Sequence, residues 1–199
     1  LIAYGPPDLY QHRHNPATAS PCVDEEGNVY AFFGTGDLVC LDRDGNELWR
    51  HYIPDEYGPY DLKFGMAASP RLWGDTLYIA CVHKGPSYVL ALDRKTGKEA
   101  WLADRNYQAM GDATDAYTSP VVLLQADLAP QLIVTGCNHV DAYDLATGKR
   151  VWSDGSLVLP DEEYGRINAS PTVGDGIVVV NSAKNQLSMA IQADGQGDI

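Results

Sequence analysis

The sequence predicts an all-β chain, a β-propeller of four-stranded antiparallel blades, and three observations predict it. Ser-Pro pairs recur at Ser20-Pro21, Ser69-Pro70, Ser119-Pro120 and Ser170-Pro171, in steps of 49, 50 and 51 residues. Two further markers keep that period, Asp42, Asp93 and Asp144 on one hand and Trp49, Trp101 and Trp152 on the other. Between the markers lie short runs rich in Val, Ile, Leu and Tyr, bounded by Gly, Pro, Asn and Asp, and no long face of 3.6-residue period with caps. A period near 50 residues with four short strands per unit is the signature of propeller blades.

Each element of the unit follows in order. An Ala/Thr-Ser-Pro lead-in opens a first strand, in "SPCVD", "SPRLW", "SPVVLL" and "SPTVG". A turn leads to an apolar second strand, "NVYAFF", "TLYIACV", "QLIVTG" and "GIVVVN". A polar loop precedes the third, "DLVCLD", "YVLALD", "VDAYDL" and "QLSMAI". A glycine turn then reverses the chain into a fourth strand that carries Trp. Gly45, Gly97 and Gly148 supply the positive φ of a tight hairpin, and Asp42, Asp93 and Asp144 accept from turn N–H groups. Each Trp offers a flat surface and an indole N–H to the neighbouring blade. The expected organisation is one propeller segment over 1–199, with blades near 16–53, 66–105, 115–154 and 167–199, the last incomplete. A half-propeller would expose blade faces, so the chain is expected to be a fragment.

Composition narrows the partners. With 27 acidic against 14 basic residues the net charge is −13, which argues against nucleic acid or an anionic membrane surface. No apolar run reaches the roughly 18 residues that span a bilayer, and no targeting signal opens the chain. The four cysteines, Cys22, Cys40, Cys81 and Cys137, lack zinc-site spacing and read as small buried hydrophobes. Two motifs are lures. "DRDGNE", Asp42–Glu47, has its Gly fourth where a calcium loop needs it sixth, so it reads as a turn. "FGTGDL" is a strand connection, because no helix follows it.

The hairpins "ALDRKTGKEAW" and "AYDLATGKRVW" resemble the A-x-D-x-x-T-G-x-x-x-W tryptophan-docking repeat of pyrroloquinoline-quinone (PQQ)-like propellers, and "CLDRDGNELW" is a worn copy. "HNPATASPCVDEEGNVYAFFGTGDLVCLDRDGNELWR" and "GMAASPRLWGDTLYIAC" are similar to outer-membrane assembly factor-like members of that family, especially planctomycete-type ones. The resemblance implies a whole propeller of seven or eight blades, an extracytoplasmic, periplasmic or secreted setting, and a protein or peptide partner.

On this fold ligands are expected at the channel mouth, where the lead-in segments and the loops between second and third strands meet. Candidate mouth residues are His14, Asn15, Lys63 and Asp115, with Tyr117, His139, Arg166 and Asn168. Lys63 and Arg166 suit a carboxylate or phosphate, Asp115 a base, and His14 a proton shuttle. The same side chains equally suit backbone satisfaction at strand starts. No catalytic residue and no metal ligand are assigned, and no cofactor is expected. The leading expectation is a non-catalytic binding or assembly scaffold. One alternative is a PQQ- and calcium-dependent dehydrogenase of alcohols or sugars, although the adjacent cysteine pair seen in many such enzymes is absent and no metal-ligand set can be matched. Another is a carbohydrate-binding propeller with Tyr57, Tyr60, Tyr117 and Tyr164 as platforms.

Overall fold

The computed structural model describes residues 17–62, 64–158, 165–182 and 188–199. Its strands fall in the expected order. Sheet one runs β1 (Cys22–Val23), β2 (Val29–Phe32), β3 (Asp37–Leu41) and β4 (Glu47–Tyr52); sheet two runs β5 (Arg71–Trp73), β6 (Thr76–Cys81), β7 (Tyr88–Asp93) and β8 (Glu99–Asp104). Sheet three contains β9 (Val121–Leu123), β10 (Gln131–Gly136), β11 (His139–Asp144) and β12 (Arg150–Asp154). The fourth has three strands among the described residues, β13 (Thr172–Gly174), β14 (Ile177–Asn181) and β15 (Ser188–Gln192). The short β16 (Gly197–Asp198) instead pairs in parallel with β12, making sheet three five-stranded. All other pairings within the sheets are antiparallel between chain neighbours, as in a propeller blade.

Among the described residues two short helices lie in the connections: α1 (Ile53–Tyr57), with Pro54 in its first turn, and a single 3-10 turn at Gly111–Thr114. Neither has a periodic face, so neither was visible as an amphipathic pattern.

The two central strands of each middle sheet, β6 and β7, β10 and β11, are buried on both sides. Along β6, Leu77, Ile79 and Cys81 pack with Tyr30, Leu38 and Cys40 of sheet one. The alternate residues Tyr78 and Ala80 pack with Leu132, Val134 and Tyr143 of sheet three. On the far side of sheet three, Ile133, Val140 and Ala142 meet Val178, Val180 and Ile191. Apolar area removed from water between successive sheets is the main stabilising contribution.

Two further contacts join each blade to the next. Near the strand starts, the Ser20 N–H donates to Ser69 Oγ, Ser69 N–H to Ser119 Oγ, and Ser119 N–H to Ser170 Oγ, each at 2.9 Å. Near the hairpin turns, the Trp49 indole donates to the Arg94 carbonyl (2.9 Å) and Trp101 to the Leu145 carbonyl (3.0 Å). Trp152 reaches its neighbour through a relay: its indole donates to Gln131 Oε1 (3.1 Å), and Gln131 Nε2 donates to the Ala193 carbonyl (3.2 Å). A β-bulge precedes every one of these Trp residues. The register slips between Cys40 and Leu41, Ala91 and Leu92, and Ala142 and Tyr143, leaving Leu48, Ala100 and Val151 as the extra residues. A bulge re-aims the side chain beside it, and here it turns the Trp onto the next sheet.

Candidate functional site

The mouth candidates fall into two clusters. In the first, the lead-in segments of sheets three and four lie side by side, with Ala116 bridging Ile167 in parallel and Tyr117 N–H donating to the Ile167 carbonyl (3.3 Å). The Ala116 N–H donates to the Val82 carbonyl at 3.2 Å, fixing this pair to the second-to-third-strand loop of sheet two. That geometry places Asp115, Tyr117 and Arg166 together. Tyr117 Oη donates to Asp115 Oδ2 over 3.4 Å, while Thr114 Oγ1 donates to the Gly111 carbonyl (3.0 Å) and lies 3.4 Å from Asp115 Oδ1. Burial, then the Asp115 carboxylate, pushes the Tyr117 phenol well above its ordinary value, with Arg166 opposing. The phenol is therefore a fixed donor at neutral pH.

Arg166 pairs through Nη2 with Asp112 Oδ2, and its guanidinium lies 4.9 Å from the Phe64 ring and 5.9 Å from the Tyr117 ring. Cation–π contact and an ion pair together hold it at the edge of the segment pair. Its Nε is enclosed without a hydrogen-bond partner among the described residues. Asn168 is exposed beside this cluster. His14, Asn15 and Lys63 lie outside the described residues. Asp112 and Phe64 were not foreseen. The partner of Asp112 is 54 residues away, so no local pattern singles it out.

His139 belongs to the second cluster. Cys137 and Asn138 form a two-residue hairpin turn with positive φ at both positions (48° and 64°), the mirror-image geometry that suits twisted hairpins. His139 follows the turn, donates its Nδ1–H to the Cys137 carbonyl (2.8 Å), and stacks on Tyr107 at 3.6 Å and 4°. Beneath the stack lies a buried ion pair, Arg105 to Asp141 at 2.8 Å with neither side chain exposed. Asp141 also accepts from Tyr107 and Ser153, each at 2.6 Å, and Arg105 donates to the carbonyls of Gly136 and His139. Asn138 ties the turn to the next connection through Gly155 and Val158. This network clamps two connections to one hairpin, and His139 is tied into it. Arg105, Asp141 and Tyr107 escaped the sequence reading because none repeats with the period.

The remaining candidates also settle into contacts. Tyr57 donates to Glu99 (3.0 Å) and packs on Tyr88, while Tyr60 meets His83 edge-on. Tyr164 lies outside the described residues. The cysteines are free thiols, three of them buried; burial raises Cys22 and Cys40 to about 11 and Cys81 to about 12. In the "DRDGNE" turn the Asp42 oxygens accept from Asp44 N–H, Asn46 N–H and Asn46 Nδ2, so they are spent on the turn itself.

The family model described as "Outer membrane protein assembly factor BamB" matches residues 10–103 and 34–197. A 1-butanol dehydrogenase (quinone) of Thauera butanivorans is 26% identical over 165 residues, 76% of this chain and 24% of its own length. A quinoprotein ethanol dehydrogenase of Pseudomonas aeruginosa is 26% identical over 170 residues, 80% of this chain and 26% of its own. The chain thus spans about a quarter of the length of these curated relatives. Among solved structures, BamB from Moraxella catarrhalis superposes with a TM-score of 0.59 at 20% identity, covering 92% of this chain and 48% of that one. A quinohemoprotein alcohol dehydrogenase from Pseudomonas putida gives a TM-score of 0.60 at 19% identity, covering 89% and 32%. These structures show the shared β-propeller fold and nothing finer.

Proposed function

We propose, from the premise that this chain belongs to the outer membrane protein assembly factor BamB family of PQQ-repeat propellers, that it serves as a non-catalytic binding scaffold for a protein partner outside the cytoplasm. The observation that carries this reading is the state of the mouth groups. Asp112 is paired with Arg166, and Asp115 accepts from the Tyr117 phenol, which is held as a donor. Groups so tied are suited to presenting a shaped polar surface and ill suited to moving protons. The family name supports a partner among outer-membrane assembly proteins, and a periplasmic or secreted setting.

A quinoprotein dehydrogenase is the second reading, favoured by the two quinone-dependent relatives. Calcium beside a quinone needs converging oxygen ligands. The two mouth carboxylates are neutralised or hydrogen-bonded, and among the described residues no group of three His, Cys, Asp or Glu side chains converges. The described residues do not fit that metal.

The test is a photo-crosslinking amino acid at Asn168 in the intact protein, in cells. The expected result is a discrete protein adduct in the cell envelope that Arg166→Ala removes. In parallel, the purified protein is incubated with PQQ and calcium and assayed for dye reduction with alcohols and aldose sugars. Stoichiometric quinone retention with turnover, or no adduct at Asn168, overturns the scaffold reading.

A further inference from the structure

The periodic contacts identify equivalent positions without any appeal to similarity. The N–H of Arg94 donates to the Asp75 carbonyl (2.9 Å) as that of Leu145 does to Pro130 (3.1 Å), so Arg94 matches Leu145 and Asp75 matches Pro130. Pairing of Cys22 with Tyr30 and of Arg71 with Tyr78 matches Asp24, two residues on, to Trp73. At the first interface these positions carry an ionic plug. The Arg94 side chain is 5% exposed, forks onto Glu25 at 2.8 and 3.0 Å, and lies 3.4 Å from Asp24 and 3.3 Å from Asp75. At the second interface all three have become apolar: Trp73 stands for Asp24, Pro130 for Asp75 and Leu145 for Arg94. The plug is gone and a cavity of about 280 Å³ stands there, walled by Trp73, Pro130, Leu145, Trp101, Tyr78 and Asp144. Trp73 is 44% exposed at its rim, the only exposed one of the chain's four Trp residues.

We propose that this cavity takes the side chain of an arginine from a partner protein. The first interface shows the shape of the occupant: there the repeat fills the equivalent space with its own guanidinium. A guanidinium is planar, weakly hydrated and stacks on indole faces, which matches Trp73 and Trp101 as walls. Asp144 lines the same cavity and supplies the opposite charge, and the chain's −13 net charge draws a cationic segment towards it. A partly exposed Trp over a pocket is the type of residue that concentrates binding energy. The inference deepens the scaffold reading but is tested apart from it, because the probe needs no partner and the site is not the Asn168 cluster.

The probe is N-acetyl-argininamide, titrated into the intact ¹⁵N-labelled protein while the Trp73 indole resonance is followed, that resonance being assigned by its loss in Trp73→Phe. Saturable movement is expected, with the lysine analogue weaker and added salt lowering affinity several-fold. Leu145→Arg, which places the repeat's own plug in the cavity, should remove the response while leaving Trp101 buried and the fold intact. Three results with the unaltered protein would overturn the proposal. These are no movement up to about 50 mM probe, where any useful affinity would show; a larger response to the leucine or phenylalanine amide; and a response to methyl glucoside in place of arginine. A response unchanged in Leu145→Arg would equally sink it.

Discussion

Gly148 shows why the repeated hairpin is spelled so faithfully. Its φ of 70° suits glycine, as the turn chemistry anticipated, but a Cβ there would also lie 2.5 Å from the Trp101 ring. Gly97 stands in the same relation to Trp49, at 2.9 Å. Gly45 has φ 85° and nothing within 4 Å. Gly45→Ala should therefore cost only the left-handed backbone penalty, about 1–2 kcal/mol. Gly148→Ala adds a clash with a buried ring and should cost about 1–3 kcal/mol more, measured as the difference in denaturant midpoints. His83 gives a second prediction at this scale. Burial lowers its pKa from 6.5 to about 4, and its Nδ1 accepts from Gly85 N–H (3.0 Å). The folded state holds the ring neutral while the unfolded chain takes up a proton below 6.5. Stability is then full above pH 6.5 and falls as pH drops towards 4, by about 3 kcal/mol in all. His83→Gln should flatten that part of the stability–pH curve. A curve as steep as the parent's would show that other groups carry the acid sensitivity.

Among the elements, strands were legible because their apolar runs and turn residues are local signals. The bulge before each Trp was not, since Leu48, Ala100 and Val151 look like ordinary strand residues and only the pairing register exposes them. The Ser-Pro pairs were legible as markers but not as contacts. Their hydroxyls form a ladder from sheet to sheet, each satisfying a backbone N–H of the preceding lead-in. Ser119→Ala should leave the Ser69 N–H without its acceptor, at about 1 kcal/mol. Hydrogen exchange at Ser69 is the readout: protection should fall there and stay unchanged at Leu90. Unchanged protection at Ser69 would mean that the hydroxyl is dispensable.

For the whole molecule, the fold class followed from periodicity, whereas the candidate site was read only from where the lead-in segments lie. Asp115, Tyr117 and Arg166 stand out as lead-in residues, and the structure sets them side by side. The Arg105–Asp141 pair and the Trp73 cavity could not be reached that way, because each belongs to a single interface. Trp101 belongs to the shared pattern, so its removal is a test of the architecture. Trp101→Ala should cost roughly 3–5 kcal/mol, and exchange protection should fall on β6 and β10 together, with the far strands β1 and β14 less affected. A loss confined to sheet two would show that the ring does not couple its neighbours.

The Ser ladder and the Trp contacts have a kinetic consequence. Their partners are separated by 49 to 51 and by 44 to 45 residues respectively. Each closes a loop of one repeat and none closes a loop of two. Loop-closure entropy is then incurred in equal instalments, each offset by one docked interface before the next begins. A nascent chain emerging in order can settle each blade against the last, so no docking step waits on a contact more than about one repeat away.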